Sequence, residues 1–182
     1  MDNYVIEKFA VPLSATEPIT VSEAKAYAKI TDTVEDAEIA KMITAARQAI
    51  EAVTGLSLVP STITAIIDNS YGNIELPLQP YVSDFVLMNK SGGTITTQAV
   101  LLGERFKCLE SPTESYMKAV YKGGYSAKGD SGYPVMPEDL LNAIKDQFAF
   151  LYGNRGDNAS DMTVCEKAWR TTLRYTRKPL FN

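Results

Sequence analysis

The stretch TVEDAEIAKMITAARQAIEAVTG, residues 33–55, decides the fold. In it Ile39, Ile43, Ala46, Ile50 and Val53 recur at alternating spacings of four and three, and Met42 and Ala49 widen the stripe. A helix turns such positions to one side, where they must be buried against something else. Thr33 opens the element, and Glu35, Asp36 and Glu38 suit the positive end of its dipole. Gly55 supplies a left-handed residue that ends it. One amphipathic helix is therefore predicted over 34–54.

Upstream, Thr20 and Glu23 have capping-box spacing, so a short helix should run to about Ile30 with Ala24, Tyr27 and Ala28 on one face. Residues 1–20 carry Pro12 and Pro18 and no clear period, and are expected as an extended N-terminal arm. Downstream of Pro60 the pattern changes. Strands are predicted at Ile63–Ile67, Asn73–Leu76, Asp84–Met88, Ile95–Val100, Arg105–Leu109 and Tyr116–Tyr121, with a hairpin turn at Ser91-Gly92-Gly93. Pro77 and Pro80 should end a strand, and Gly123 through Gly132 reads as a flexible loop. Pro137 restarts helix, with Leu141, Ile144, Phe148 and Leu151 as its stripe and Leu140 beside it. A last helix from about Thr163 to Tyr175 carries Val164, Ala168, Trp169 and Leu173.

The expected fold is α+β: a helical bundle from N- and C-terminal helices with an inserted antiparallel β-rich segment. Residues 21–59 and 137–160 form the helical body, 61–135 the insertion, and 161–182 a basic C-terminal helix and tail. The simplest way to bury the two long stripes is against each other.

The chain has 182 residues and a net charge of −4. Five bases (Lys167, Arg170, Arg174, Arg177, Lys178) against Glu166 make the end from Glu166 onward +4, leaving −8 for residues 1–165. A basic tail on an acidic body suits docking on an acidic surface or touching phosphate. It equally suits a last helix that complements its own dipole.

No histidine is present, which removes the commonest general base and metal ligand. The Glu35, Asp36, Glu38 cluster reads as a solvated helix start. Gly123-Gly124-Tyr125-Ser126-Ala127-Lys128-Gly129 lacks the Gly-Lys-Ser/Thr ending of a phosphate loop. No metal, cofactor or catalytic residue is implied. Tyr71, Tyr81, Tyr116, Tyr121, Tyr125 and Tyr133 fit either a contact face or ordinary β core. Cys108 and Cys165 are expected as lone thiols, although spacing alone leaves a disulfide open. No signal peptide or membrane-length apolar run is seen, so a cytoplasmic protein without membrane contact is expected.

Several motifs in order resemble a known family. They are Ile19-Thr20-Val21-Ser22-Glu23-Ala24-Lys25, Asp36, Ile43-Thr44-Ala45-Ala46-Arg47, Glu51 and Thr54-Gly55. Leu76-Pro77 with Pro80, Gly124-Tyr125, Pro137-Glu138, Ala143-Ile144 and Leu151-Tyr152-Gly153-Asn154-Arg155 follow. Together they resemble the head–tail connector (adaptor, or head-completion) proteins of tailed phages. That family's C-terminal Leu-x-Pro-Tyr-Arg pattern is echoed by Leu173-Arg174-Tyr175-Thr176-Arg177, without the proline and with different spacing.

The resemblance implies a non-enzymatic virion protein assembled in the host cytoplasm. Copies form a ring, usually dodecameric, that joins the portal to a stopper or tail protein and continues the DNA channel. The C-terminal segment would dock on the portal, through Trp169, Arg170, Arg174, Tyr175, Arg177 and Lys178. DNA would pass without sequence-specific contacts, since an acidic body does not grip phosphate. The alternatives are a stopper or tail-terminator role, or a packaging accessory that binds nucleic acid through the basic tail.

Overall fold

A computed structural model describes residues 4–68, 74–104, 106–110, 116–129, 132–155 and 164–175. The chain divides into two compact units. One, here the β unit, comprises Met1–Ala15 and Val59–Val135; the other, the helical unit, comprises Thr16–Leu58 and Met136–Asn182. The mixed α+β class and the strands inserted between terminal helices are as expected.

In the helical unit, α1 spans Val21–Ala28 and starts with the expected capping box. The Thr20 hydroxyl accepts from the Glu23 amide at 3.1 Å, and the Glu23 carboxylate accepts from the Thr20 amide at 2.7 Å. α2 spans Asp36–Thr54 and ends on Gly55 at φ 67°. Its N-cap is Glu35 rather than Thr33, because the 33–36 segment closes as a turn. Ile39, Ile43, Ala46 and Ile50 are buried as expected, whereas Val53 is half-buried.

α3 spans Glu138–Gly153 and buries Leu140, Ala143, Ile144, Gln147 and Phe148. The stripe is thus rotated towards Leu140, and Leu141 and Leu151 are only half-buried. α2 packs on α3, and α1 packs on both, so the two long stripes cover each other. α4 is shorter than expected, Glu166–Thr172, and buries Ala168 and Thr172. Trp169 and Leu173, the large apolar residues it carries, are exposed.

In the β unit, β1 (Tyr4–Pro12), β2 (Ser61–Asp68), β7 (Tyr116–Gly123) and β4 (Tyr81–Asn89) form an antiparallel sheet in the order β1-β2-β7-β4. Residues 4–12, expected as an arm, are thus extended but form a paired strand, with a bulge between Val5 and Glu7. A small second sheet has the order β3 (Ile74–Glu75), β6 (Cys108–Glu110), β5 (Val100–Leu102). Ile63, Ala65, Ile67, Leu87, Met117, Ala119 and Tyr121 share one core with Ile74, Leu76, Ile95 and Leu109.

The predicted strand Ile95–Val100 is instead a 3-10 turn at Thr96–Gln98 followed by β5. Its cause is Thr96, whose hydroxyl accepts from the Leu87 amide at 2.9 Å in place of a ladder carbonyl. Gly123 to Gly132 is not a loose loop where described: Gly124, Tyr125 and Ser126 are buried, and Ser126 bridges to Val135. A side chain at Gly123 would sit 2.7 Å from Ile63 Cδ1 and from the Pro80 carbonyl, so only glycine fits. Asp130 and Ser131 lie outside the described residues, as do Asn73 and Arg105 of the predicted strands.

Candidate assembly surfaces

Three polar clusters brace the helical unit before any surface is left over. Glu35 at the start of α2 accepts from the Tyr152 hydroxyl at 3.0 Å and from Arg155 Nη1 at 2.9 Å. The Arg155 guanidinium lies 4.0 Å from the Tyr152 ring centroid. These contacts, Arg155 first, hold the Glu35 carboxyl below its ordinary range. The run Tyr152-Gly153-Asn154-Arg155 is therefore a brace between the end of α3 and the start of α2. Asp36 pairs with Lys25 at 2.7 Å and Glu38 with Lys41 at 3.0 Å, so the acidic cluster is paired rather than merely solvated.

The second cluster fixes α4. Lys167 Nζ donates to Asp146 at 2.6 Å and to the Tyr27 hydroxyl at 3.1 Å, and Tyr27 also donates to Asp146. The Asp146 contact, with Tyr27, pushes the Lys167 ammonium well above its usual range. The Cys165 amide donates to the buried Gln147 side chain at 2.7 Å. The third cluster centres on Arg47, which contacts Glu17 at 2.7 Å and Glu51 at 2.6 Å.

α4 so held presents a mixed face. Trp169 is 43% exposed and Leu173 52%, one helical turn apart. Arg170 and Arg174 are exposed one position further round. Of the expected docking residues, Trp169, Arg170 and Arg174 come together there. Tyr175 is turned away: it is half-buried, and its hydroxyl donates to Asp139 on α3 at 2.6 Å. Arg177 and Lys178 lie outside the described residues.

Sequence reasoning missed Leu173 as a surface residue. The signal was available, because Ala168 and Thr172 offer the same one-turn spacing as Trp169 and Leu173, with smaller side chains suited to close packing. The basic charge is also less free than its count suggests. Lys167 pairs with Asp146, Arg170 with Glu166 at 2.5 Å, and Arg174 stands 4.0 Å from Asp139.

The β unit offers a different surface. Its sheet has two edges, β1 and β4. β4 carries two register irregularities and Asp84 at φ 59°. Its Leu87 carbonyl accepts from Ile95 at 2.8 Å, and the Asn89 amide donates to Gly93 at 2.9 Å. That edge is blunted and partly covered. Among the described residues β1 is a nine-residue strand paired only with β2, and Ile6, Phe9, Val11 and Leu13 on and after it are exposed. Native proteins seldom leave a long apolar edge strand open without a use for it.

Tyr121, Tyr125 and Tyr133 are buried and Tyr81 and Tyr116 half-buried, so these tyrosines are core and rim rather than a contact face. Tyr71 lies outside the described residues. Both cysteines are free thiols, Cys165 buried and Cys108 half-buried. Among the described residues no cluster of Cys, Asp and Glu could hold a metal, and no helix is long and apolar enough to cross a membrane.

The described surfaces left exposed are thus the Trp169 and Leu173 face of the helical unit and the β1 edge of the β unit. No protein-family model and no curated protein matches the chain. Solved structures do. A chain in the neck of an empty gene transfer agent (GTA) particle, computed with C6 symmetry, is similar over 97% of this chain and 99% of its own, at a TM-score of 0.73 and 19% identity. A chain in the neck of the native GTA particle, computed with C12 symmetry, covers 96% and 98% at a TM-score of 0.68 and 18% identity. A chain of the native GTA virion covers 96% and 98% at 0.69 and 19%. The protein shares its fold with these particle chains over 96–97% of its length.

Proposed function

We propose that the protein is a non-enzymatic structural subunit of the neck of a tailed phage or phage-like particle. Copies of it form a ring beneath the portal, joining the DNA-filled head to a stopper or tail protein and continuing the DNA channel. The observation that carries this reading is the whole-length likeness to chains of particle necks. Those necks were computed with C6 and C12 symmetry, which supports a homo-oligomeric ring. The ordered connector motifs in the sequence point the same way.

Two surfaces suit the role. Trp169 and Leu173, flanked by Arg170 and Arg174, form the portal-docking face; aromatic and Arg side chains are the usual anchors of an interface. The β1 edge is a contact between copies. Apart from the basic end, the helical unit (residues 16–58 and 136–165) holds twelve acidic and six basic residues, a net −6. Such a surface lets DNA slide past without gripping it.

The test of the neck role is deletion of the gene in the producing phage or particle. Filled heads and separate tails are expected, with the chain located at the neck of wild-type particles by electron microscopy. Normal tailed particles from the deletion strain would reject the reading. Docking needs a finer tool than truncation, because removing residues 163–182 would uncover the core that Ala168 and Thr172 close. The double variant Trp169→Ser, Leu173→Ser should keep the fold and lose portal binding in co-sedimentation. Retained binding would move the docking site elsewhere.

A further inference from the structure

Arg47 is an unusual residue to find on the buried side of α2. Its side chain is 7% exposed, and it serves two partners that lie on opposite sides of it in sequence. Its Nε and Nη2 donate to the two oxygens of Glu17, at 2.7 and 3.3 Å. Its Nη1 donates to one oxygen of Glu51 at 2.6 Å. The remaining Glu51 oxygen accepts from the Leu58 backbone amide at 2.7 Å. The Thr44 hydroxyl donates to Glu17 at 2.8 Å. One guanidinium thus fastens the segment before α1 and, through Glu51, the segment after α2.

Those two segments are where the chain passes between its units. The passages fall at Ala15/Thr16 and Leu58/Val59, next to Glu17 and at Leu58. On the β-unit side the same two runs are tied once more, by the Leu13 amide to the Pro60 carbonyl at 2.9 Å. The third passage, at Val135/Met136, leads straight into α3 through Pro137 and is not held by Arg47.

We propose that Arg47 is a positioning residue that locks both of these connections to α2, so that they move as one body instead of as two independent tethers. The planar guanidinium is suited to this, because its fork can satisfy two carboxylates at once, whereas a lysine ammonium is a single point. The lock itself stands whether or not the neck role does.

The test is amide hydrogen exchange on the full chain. Arg47→Met should speed exchange about tenfold at both ends, at Thr16–Glu17 and at Leu58, the loss expected for a hydrogen bond to a charged group. Because Arg47→Met also lowers the stability of the whole helical unit, selectivity is read from the milder variants, in which core amides of α3 such as Ile144 and Phe148 should change much less than the connections. Glu17→Gln should loosen only the first connection and Glu51→Gln only the second. Arg47→Lys should restore one of the two and not both. Were Arg47→Met to fold poorly, the two Gln variants and Arg47→Lys would still decide the matter. A uniform rise across the helical unit in all variants would make Arg47 an ordinary core ion pair, and unchanged exchange at both connections would end the proposal outright.

Discussion

The helical unit buries a charge where the β unit buries an amide. Arg47 sits between two carboxylates on α2, and Gln79 sits at the junction of the two sheets. Gln79 is 2% exposed; its Nε2 donates to the Lys107 carbonyl at 2.8 Å, and its Oε1 accepts from the amides of Tyr81 at 3.0 Å and Lys107 at 3.2 Å. Both side chains do the same geometric job, tying a helix or a strand start to a segment distant in sequence. They differ in what is left behind when they are removed. Losing Arg47 strands two carboxylates, whereas losing Gln79 strands three neutral backbone groups. A buried ion costs more to leave unpaired than a buried dipole.

Arg47→Met should therefore have the largest effect, about 3 kcal/mol of stability, read as a lower urea midpoint. The triple variant Glu17→Gln, Arg47→Met, Glu51→Gln should recover much of it, because the stranded charges are gone. Failure to recover would mean that packing around the guanidinium stem, not charge, is what matters. Gln79→Leu comes next, with a loss of about 2 kcal/mol from the unpaired backbone groups. If it cost as much as Arg47→Met, the contrast between charge and dipole would fail. The double variant Trp169→Ser, Leu173→Ser is smaller again in stability, within about 0.5 kcal/mol, because both residues are exposed.

The same contrast explains how much could be read in advance. The α2 stripe at Ile39, Ile43, Ala46 and Ile50 was legible because periodic burial leaves a local pattern. So was the capping box, whose partners lie three residues apart. β2, β4 and β7 were found from β-branched runs, with only their ends misplaced. What resisted was contact at long range. Thr96 displaces a strand only because Leu87, nine residues earlier, needs an acceptor. β1 looked like an arm because its partner is β2, some fifty residues on, and its own side chains alternate weakly. On α4 the sequence did not decide which of Val164, Ala168, Trp169 and Leu173 face inward. The close approach of α4 to α3 favours Ala168 and Thr172. Of the residues proposed for docking, Trp169, Arg170 and Arg174 are exposed together on α4, whereas Tyr175 could not be separated from them without Asp139, which pairs with it across the unit.

The smallest expected effect concerns an exposed charge and so marks the other end of the comparison with Arg47. Glu35 owes its low pKa first to Arg155 and then to Tyr152. A carboxyl whose folded value lies below its unfolded value contributes stability above the unfolded value and loses it as pH falls through the folded one. Arg155→Gln should bring the Glu35 carboxyl back towards the ordinary glutamate range, read by NMR titration of its side chain. The start of α2 should then fray at a higher pH than in the parent, while stability at neutral pH barely changes, because solvent screens a pair this open. A large loss of stability at neutral pH would show that the Arg155–Tyr152 brace carries the helical unit as Arg47 does, and the distinction between exposed and buried charge drawn for this unit would have to be abandoned.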